Sequence, residues 1–256
     1  MTLEHVDYSV EGGAGWVRLD RPEVLNAFNS TMYANLKAAV REAEDDSRVD
    51  AIVITGTGRS FATGGDLSDA QALVADDAPS SAWYEYEDAL PFAAVRHCTK
   101  PTIAAVNGLC YAGGLITAAA CDIAVAVESA TFCIPEAKVG LAEPILPDVL
   151  WGRVSMAKSV YYTLTAKPFG SAEAERSGFI TEVVRDGSLT ERVWEIVGEL
   201  RQTSPDAKRM YKEFFARHAP EINLRGIREG VRGADASEGL AAFAADRAPR
   251  WASDPS

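Results

Sequence analysis

From Pro101 to Cys121 the chain carries no charged residue. A run of roughly 20 uncharged residues is long enough to cross a bilayer, so it has to end in a membrane or at the centre of a folded core. Pro101, Asn107, Gly108, Gly113 and Gly114 decide between the two, because they cut the run into a strand, a loop and a helix. The run is therefore expected to be a buried core segment of a soluble protein, with no membrane partner. A chain of 256 residues is long enough to bury it within one or two domains.

The flanking segments alternate in type. Gly15–Asp20 reads as a strand, and Ser30–Asp46 as a helix with Met32, Leu36, Ala39, Val40 and Ala43 along one face. Ala51–Thr55 reads as a buried strand ending at Gly56-Thr57-Gly58. Ser81–Cys98 reads as one helix, Thr102–Val106 as a buried strand, Gly113–Cys121 as a small-residue helix and Ile123–Val127 as a further strand. Such alternation implies an α/β body with parallel strands and crossover helices. From about Ser155 the pattern turns helical. Ser188 with Glu191 forms a capping box for a helix over Ser188–Leu200, Ser204-Pro205 opens another helix, and Ser237 is placed to cap a last one.

Composition removes several classes of function. Acidic residues outnumber basic ones by 37 to 25, which argues against a surface that tracks phosphates, so no nucleic-acid partner is expected. A small anion held by local backbone N–H groups is still compatible with that charge. Cys98, Cys110, Cys121 and Cys133 include no C-x-x-C pair, and His5, His97 and His218 are scattered. That pattern is neither a zinc spacing nor a disulfide framework, so no metal site is expected and the thiols read as free and mostly buried in a reducing compartment. Met1–Gly13 carries Glu4, Asp7 and Glu11 and lacks the apolar run of a leader, which points to a cytoplasmic protein.

Three segments concentrate the residues able to do chemistry: Arg59–Leu67, Lys100–Asp122 and Thr131–Leu141. Gly64-Gly65 follows the strand Ala51–Thr55, and Gly113-Gly114 follows the strand Thr102–Val106 and opens a helix. Paired glycines at strand ends can serve backbone geometry alone. In a parallel sheet, however, both loops fall at the carboxyl edge, where ligands bind. The helix beginning near Gly113 would aim unpaired N–H groups and its positive dipole end at that edge. Two loops giving one N–H each to a single oxygen make an oxyanion hole. Glu136 stands among Phe132, Cys133, Ile134, Pro135 and Ala137. It is either an exposed loop glutamate or a desolvated carboxyl suited to acid/base work near neutrality, and spacing alone does not choose. Trp83, Tyr86 and Leu90 stand at helical spacing and read as a core face rather than a substrate clamp. Gly56-x-Gly58 lacks the third glycine of a dinucleotide fingerprint, and neither a Gly-Lys-Ser/Thr phosphate loop nor a Gly-x-Ser-x-Gly elbow is present.

On these segments the sequence resembles the enoyl-CoA hydratase/isomerase (crotonase) superfamily over nearly its whole length. Leu19-Asp20-Arg21-Pro22 with Leu25-Asn26-Ala27 is similar to that family's first strand and loop, and Phe61–Leu67 to its F-x-x-G-x-D-L loop. Lys100–Gly108, Gly113-Gly114 and Cys121-Asp122 resemble its central signature. Ala130-Thr131-Phe132, Pro135-Glu136 and Gly140-Leu141 resemble the next block, and Glu238-Gly239 through Phe243 and Arg247 its C-terminal helix. The resemblance implies an α/β fold, a spiral of ββα units over residues 1–200 that binds a CoA thioester. It implies a helical region over residues 201–256 for capping and for assembly into a homotrimer or hexamer. Coenzyme A would arrive as part of the acyl-CoA substrate, with no separate cofactor. By the same resemblance the N–H groups of Ala62 and Gly113 would hold the thioester oxygen and Glu136 would be the catalytic glutamate. Ala62, Thr63, Gly64, Gly65, Asp66, Gly113, Gly114 and Ile116 would line the substrate channel.

Two departures matter for the chemistry. Ile116 stands where the family's hydratases carry a second glutamate, and Ala142–Pro147 replaces a glycine-rich loop, bringing in Glu143. One carboxylate suffices for a 1,3-proton shift, whereas hydration wants one group for water and one for the proton. Double-bond isomerisation by Glu136 is therefore the leading expectation, and a hydratase or lyase with Glu143 as second carboxylate is the alternative. Glu143 also reads as a helix N-terminal charge or a surface-loop residue. A CoA-ester hydrolase or decarboxylase, with His97 the one histidine arguably near, and a silent CoA-binding subunit are the options of another class. Arg21, Arg59 and Lys212 are candidate cations for the CoA phosphates. Phe214 and Phe215 exceed what one core face needs, which favours an oligomer.

Overall fold

The computed structural model describes residues 2–74, 80–231 and 233–252. The strands, in chain order, are β1 (Thr2–Leu3), β2 (Val6–Glu11), β3 (Ala14–Leu19), β4 (Ala51–Gly56), β5 (Ser60–Ala62) and β6 (Thr102–Val106). They continue with β7 (Leu109–Tyr111), β8 (Ile123–Val127), β9 (Thr131–Cys133), β10 (Phe169–Gly170) and β11 (Glu182–Val184). A larger sheet has the order β1-β2-β3-β4-β6-β8-β11, and a smaller one the order β10-β9-β7-β5. In the larger sheet β1, β2 and β3 pair antiparallel and every pairing from β3 to β11 is parallel. β6 is buried at every residue and β4 at its first four, which explains why both read as unbroken apolar runs.

The first five helices are α1 (Ser30–Asp45), α2 (Leu67–Val74), α3 (Ser80–Ala89), α4 (Phe92–His97) and α5 (Gly113–Ala120). Asn29 caps α1 by accepting from Met32 N at 2.8 Å, and Met32, Tyr33, Leu36, Ala39, Val40 and Ala43 form its buried face. Ser81–Cys98 is not one helix as expected. It divides at Leu90-Pro91, because proline has no N–H to donate and its ring obstructs the preceding turn. α5 is buried along its whole length. The uncharged run is thus the middle of the molecule, and among the described residues no helix is long and apolar enough to cross a membrane. All four cysteines are free and buried.

The later helices are α6 (Ile145–Leu150), α7 (Met156–Thr165), α8 (Ser171–Ser177), α9 (Leu189–Arg201), α10 (Pro205–Ala216), α11 (Ile227–Gly230) and α12 (Ala234–Ala244). Ser204 caps α10 as read from the sequence, accepting from Ala207 N at 3.3 Å. Two other expected caps are corrected. Ser188 has φ −96° and ψ 0°, outside the extended region that turns a capping oxygen towards the helix, and makes no capping bond. Ser237 lies inside α12, which starts after Gly233. α12 folds back over the body: Leu240 O accepts from Gln71 Nε2 at 3.1 Å, and a Cβ on Gly239 would stand 2.1 Å from Val139 O. α7 and α10 turn large apolar side chains outward, with Leu164 73% and Phe215 75% exposed.

Candidate active site

The smaller sheet positions the two glycine loops. β5 and β7 pair in parallel, Ser60 opposite Leu109, so both chains leave the sheet at one edge. The Gly64-Gly65 loop therefore follows β5 rather than the expected β4, and Gly113-Gly114 follows β7 rather than the expected β6; strands this short show no alternation to read. From β5 the chain enters Thr63-Gly64-Gly65-Asp66, and from β7 it enters Ala112 and α5. Gly64 has φ +101°, and a Cβ there would lie 2.4 Å from Ala112 Cβ. A Cβ on Gly114 would lie 2.3 Å from Ala62 O. These glycines let two backbones touch. Phe28 secures the first loop, donating to Gly64 O at 2.8 Å and accepting from Asp66 N at 2.8 Å.

Ala112 precedes α5 at φ 49° and ψ −122°, a region an alanine rarely occupies. It is held there by its N–H, which donates to Cys133 O at 3.0 Å. The first bond inside α5 runs from Ile116 N to Ala112 O at 3.0 Å, so the N–H groups of Gly113, Gly114 and Leu115 have no partner within the helix. Their end of the helix carries partial positive charge.

A cavity of about 660 Å³ opens in front of these groups. Of the residues named from the sequence, Thr63, Gly65, Asp66, Gly113, Ile116, Glu136 and Glu143 line it. Ala62, Gly64 and Gly114 stand behind that lining and bring the loops together; Ala62 is fully buried. α12 closes part of the cavity with Phe243 and Ala244. Asp66 is engaged with Ser68, whose Oγ donates at 2.6 Å, and with Arg21 at 3.4 Å, which together hold its carboxyl below the ordinary value.

Glu136 begins a short turn of 3-10 helix after β9, preceded by Pro135. It is not an exposed loop residue at its functional end: Oε2 is buried and has no hydrogen-bond partner among the described residues. Burial pushes this carboxyl up to about 8, and the nearby Glu143 adds to the rise. Glu143 accepts from Ile145 N at 3.0 Å, so it also serves the start of α6, and burial pushes it up to about 7. Two carboxyl groups in one apolar cavity cannot both ionise cheaply, so the pair titrates together around neutrality. Such a pair can take a proton from a bound molecule and return one.

Two tyrosines belong to the site and were not expected there. Tyr33 and Tyr86 both line the cavity, with Leu90 and Phe92. The reading of Trp83, Tyr86 and Leu90 as core face alone is corrected: they pack inward, and Tyr86 and Leu90 border the cavity as well. Tyr33 was legible in principle, since it stands three residues before Leu36 and seven before Val40 on the inward face of α1.

Other candidates lie elsewhere. His97 borders a different depression with Lys37, Glu44 and Asp88. Lys212 lines a second large cavity and is paired with Asp122. Arg59 is exposed. Arg21 sits nearest the site, its guanidinium donating to Ala27 O at 2.7 Å.

The profile of the enoyl-CoA hydratase/isomerase family matches residues 10–254. The chain is similar to a probable enoyl-CoA hydratase of Mycobacterium tuberculosis, 34% identical over 263 residues that cover 98% of this chain and 99% of that protein. It is similar to a mitochondrial Delta(3,5)-Delta(2,4)-dienoyl-CoA isomerase of Mus musculus, 32% identical over 207 residues that cover 75% of this chain and 62% of that protein. Among solved structures, a carnitinyl-CoA hydratase from Mycobacterium avium superposes with a TM-score of 0.81 at 30% identity, covering 99% of this chain and 100% of that one.

Proposed function

The chain belongs to the enoyl-CoA hydratase/isomerase family, whose members act on acyl-CoA substrates, and from that premise we propose that it moves the double bond of an enoyl-CoA. In this reading the N–H groups of Gly65 and Gly113, both on the cavity wall, hold the thioester oxygen, in place of the Ala62 expected from the resemblance, which lies fully buried behind that wall. Glu136 removes a proton from carbon beside the thioester, negative charge passes to the held oxygen as an enolate forms, and Glu136 returns the proton farther along the chain. Donors fixed in place before the charge arrives are worth most in a site from which water is excluded. The observation that carries the reading is the buried, partnerless Oε2 of Glu136 in a cavity whose α5 wall is the apolar Ile116, 1% exposed. A proton shift conserves atoms and oxidation state, so coenzyme A within the substrate is the one cofactor the scheme requires.

One observation favours a second reading, hydration of the 2-enoyl ester. Glu143 shares the cavity with Glu136, so one carboxyl could activate water while the other handles the proton. Several relatives carry hydratase names, which supports the same alternative. Incubation with a 3-enoyl-CoA and, separately, a 2-enoyl-CoA tests both readings by mass and absorbance. Bond migration at constant mass is expected; a gain of one water on the 2-enoyl ester would replace isomerisation by hydration. A hydrolase is disfavoured by the placement of His97 away from Glu136, and a silent CoA binder has no use for two buried carboxyl groups.

The proposal includes assembly of copies of this chain and action in the reducing cytoplasm, consistent with four free thiols. Met156, Val160, Tyr161 and Leu164 on α7 and Met210, Tyr211, Phe214 and Phe215 on α10 are large apolar residues turned outward. Surfaces of that kind mark interfaces. Light scattering is expected to give three or six times the 27.4 kDa chain mass, and a monomeric mass would remove this part of the reading.

A further inference from the structure

The proton-transfer scheme leaves one polar pair in the cavity unused. The Tyr33 ring lies flat on Phe28, centroids 4.5 Å apart and planes 9° apart, and meets Tyr86 edge-on at 6.1 Å. Its hydroxyl reaches the start of α5. A Cβ built on Gly113 would stand 2.6 Å from Tyr33 Oη, and one built on Gly65 would stand 3.8 Å from it. Since a carbon–carbon bond is about 1.5 Å long, Oη lies within about 4 Å of Gly113 Cα. Gly113 is not among the positive-φ glycines. Its missing side chain is therefore a matter of space, and the space is occupied by the phenol oxygen.

Tyr33 and Tyr86 meet edge to face and each perturbs the other's hydroxyl. Two phenols own two O–H donors, so even if they share one bond a donor is left for another acceptor at this spot. Burial raises both phenols above their ordinary value, and the charges of Glu136 and Glu143 raise Tyr33 further. The pair thus stays protonated and able to donate over the whole range in which the carboxyl groups titrate.

We propose that Tyr33, backed by Tyr86, is a further catalytic residue: a third hydrogen-bond donor to the thioester oxygen as it becomes an enolate. The proposal rests on the enolate reading given above. A neutral phenol bonds a thioester carbonyl weakly and an enolate oxygen strongly, so its contribution grows as the proton leaves carbon. Phenol donors fill this role elsewhere for dienolates formed in apolar sites.

Tyr33→Phe retains the ring stacked on Phe28 and removes the hydroxyl alone. The probe is a 3-oxoacyl-CoA, whose enolate absorbs apart from its keto form, titrated with pH on the enzyme. The variant is expected to shift bound enolisation to higher pH and to lower kcat by about 10²-fold, the usual loss for one such donor. Affinity for a saturated acyl-CoA should be unchanged, and Tyr86→Phe should act in the same direction with smaller effect. If the wild type enolises the probe and Tyr33→Phe does so at the same pH, the proposal falls while the enolate reading stands. If the variant alters only the pH profile of turnover, Tyr33 positions the glutamates and is not a donor to substrate, which also overturns it. A wild type that binds the 3-oxoacyl-CoA without enolising it would overturn the enolate reading itself.

Discussion

Glu136→Gln is expected to lower turnover by about 10²–10⁴-fold, the range a positioned acid/base group supplies, with acyl-CoA affinity nearly unchanged. Glutamine has the shape of glutamate and cannot hold the migrating proton, so the loss should fall on kcat and not on binding. Stopped-flow turnover and calorimetric binding of a saturated acyl-CoA check the two halves separately. Full activity in the variant would remove Glu136 from the mechanism. Glu143→Gln divides the two functional readings. If one carboxyl shuttles the proton, the change should cost far less than Glu136→Gln; if water is added, both substitutions should cost alike. The pH profile of the wild type has a definite sign. Glu136 must be ionised to take the proton, and burial holds it protonated up to about 8. Turnover should therefore rise with pH through that region, and the observed midpoint belongs to the coupled pair with Glu143 and not to one residue.

The parts of this molecule that were legible in sequence are those where backbone contact dictates residue type. Gly64 and Gly114 must be glycine because Ala112 and Ala62 occupy the space a side chain would need, and such pairs stand out beside β-branched runs. Glu136 stood out for its uncharged flanks, but whether it was buried depended on α12 packing over its turn, a contact from a distant part of the chain. The smaller sheet was invisible because its strands, two or three residues long, show neither alternation nor an apolar run. The break at Pro91 was written plainly and was outweighed by the helical spacing on either side of it. Tyr33 goes unmarked in the sequence and Tyr86 reads there as core face for a subtler reason: an aromatic on the inward face of a helix looks the same whether it meets side chains or a cavity. Asn26 is comparable. Its role as a fully buried clamp, accepting from Arg21 N at 2.9 Å and donating to Thr57 O and Ser60 O at 2.9 Å, follows from loop geometry that spacing does not report.

The same burial that prepares Glu136 for catalysis should destabilise the fold as pH rises, and Glu136→Gln should relieve it. In the unfolded chain the carboxyl ionises near its ordinary value of 4.5, whereas in the folded protein it holds its proton up to about 8. Below 4.5 it is protonated in both states and exerts no differential effect. Between the two values the unfolded chain releases the proton and the folded protein does not, so stability falls with rising pH; above about 8 the full penalty is present. Each pH unit of that separation is worth about 1.4 kcal/mol, which makes the penalty on the order of 5 kcal/mol. Glutamine does not ionise, so the stability difference between variant and wild type should grow by that order from pH 4 to pH 9, read by denaturant unfolding. A buried amide with unmet hydrogen bonds can cost about 1–3 kcal/mol, but that cost does not vary with pH, so the growth of the difference is the signature. A difference that stays flat would mean that the carboxyl reaches water in the free enzyme, and the raised value needed for a base working near neutrality would lose its cause. Growth of the difference alongside collapse of turnover would trace both to one origin, the desolvation of a single carboxyl in an apolar cavity.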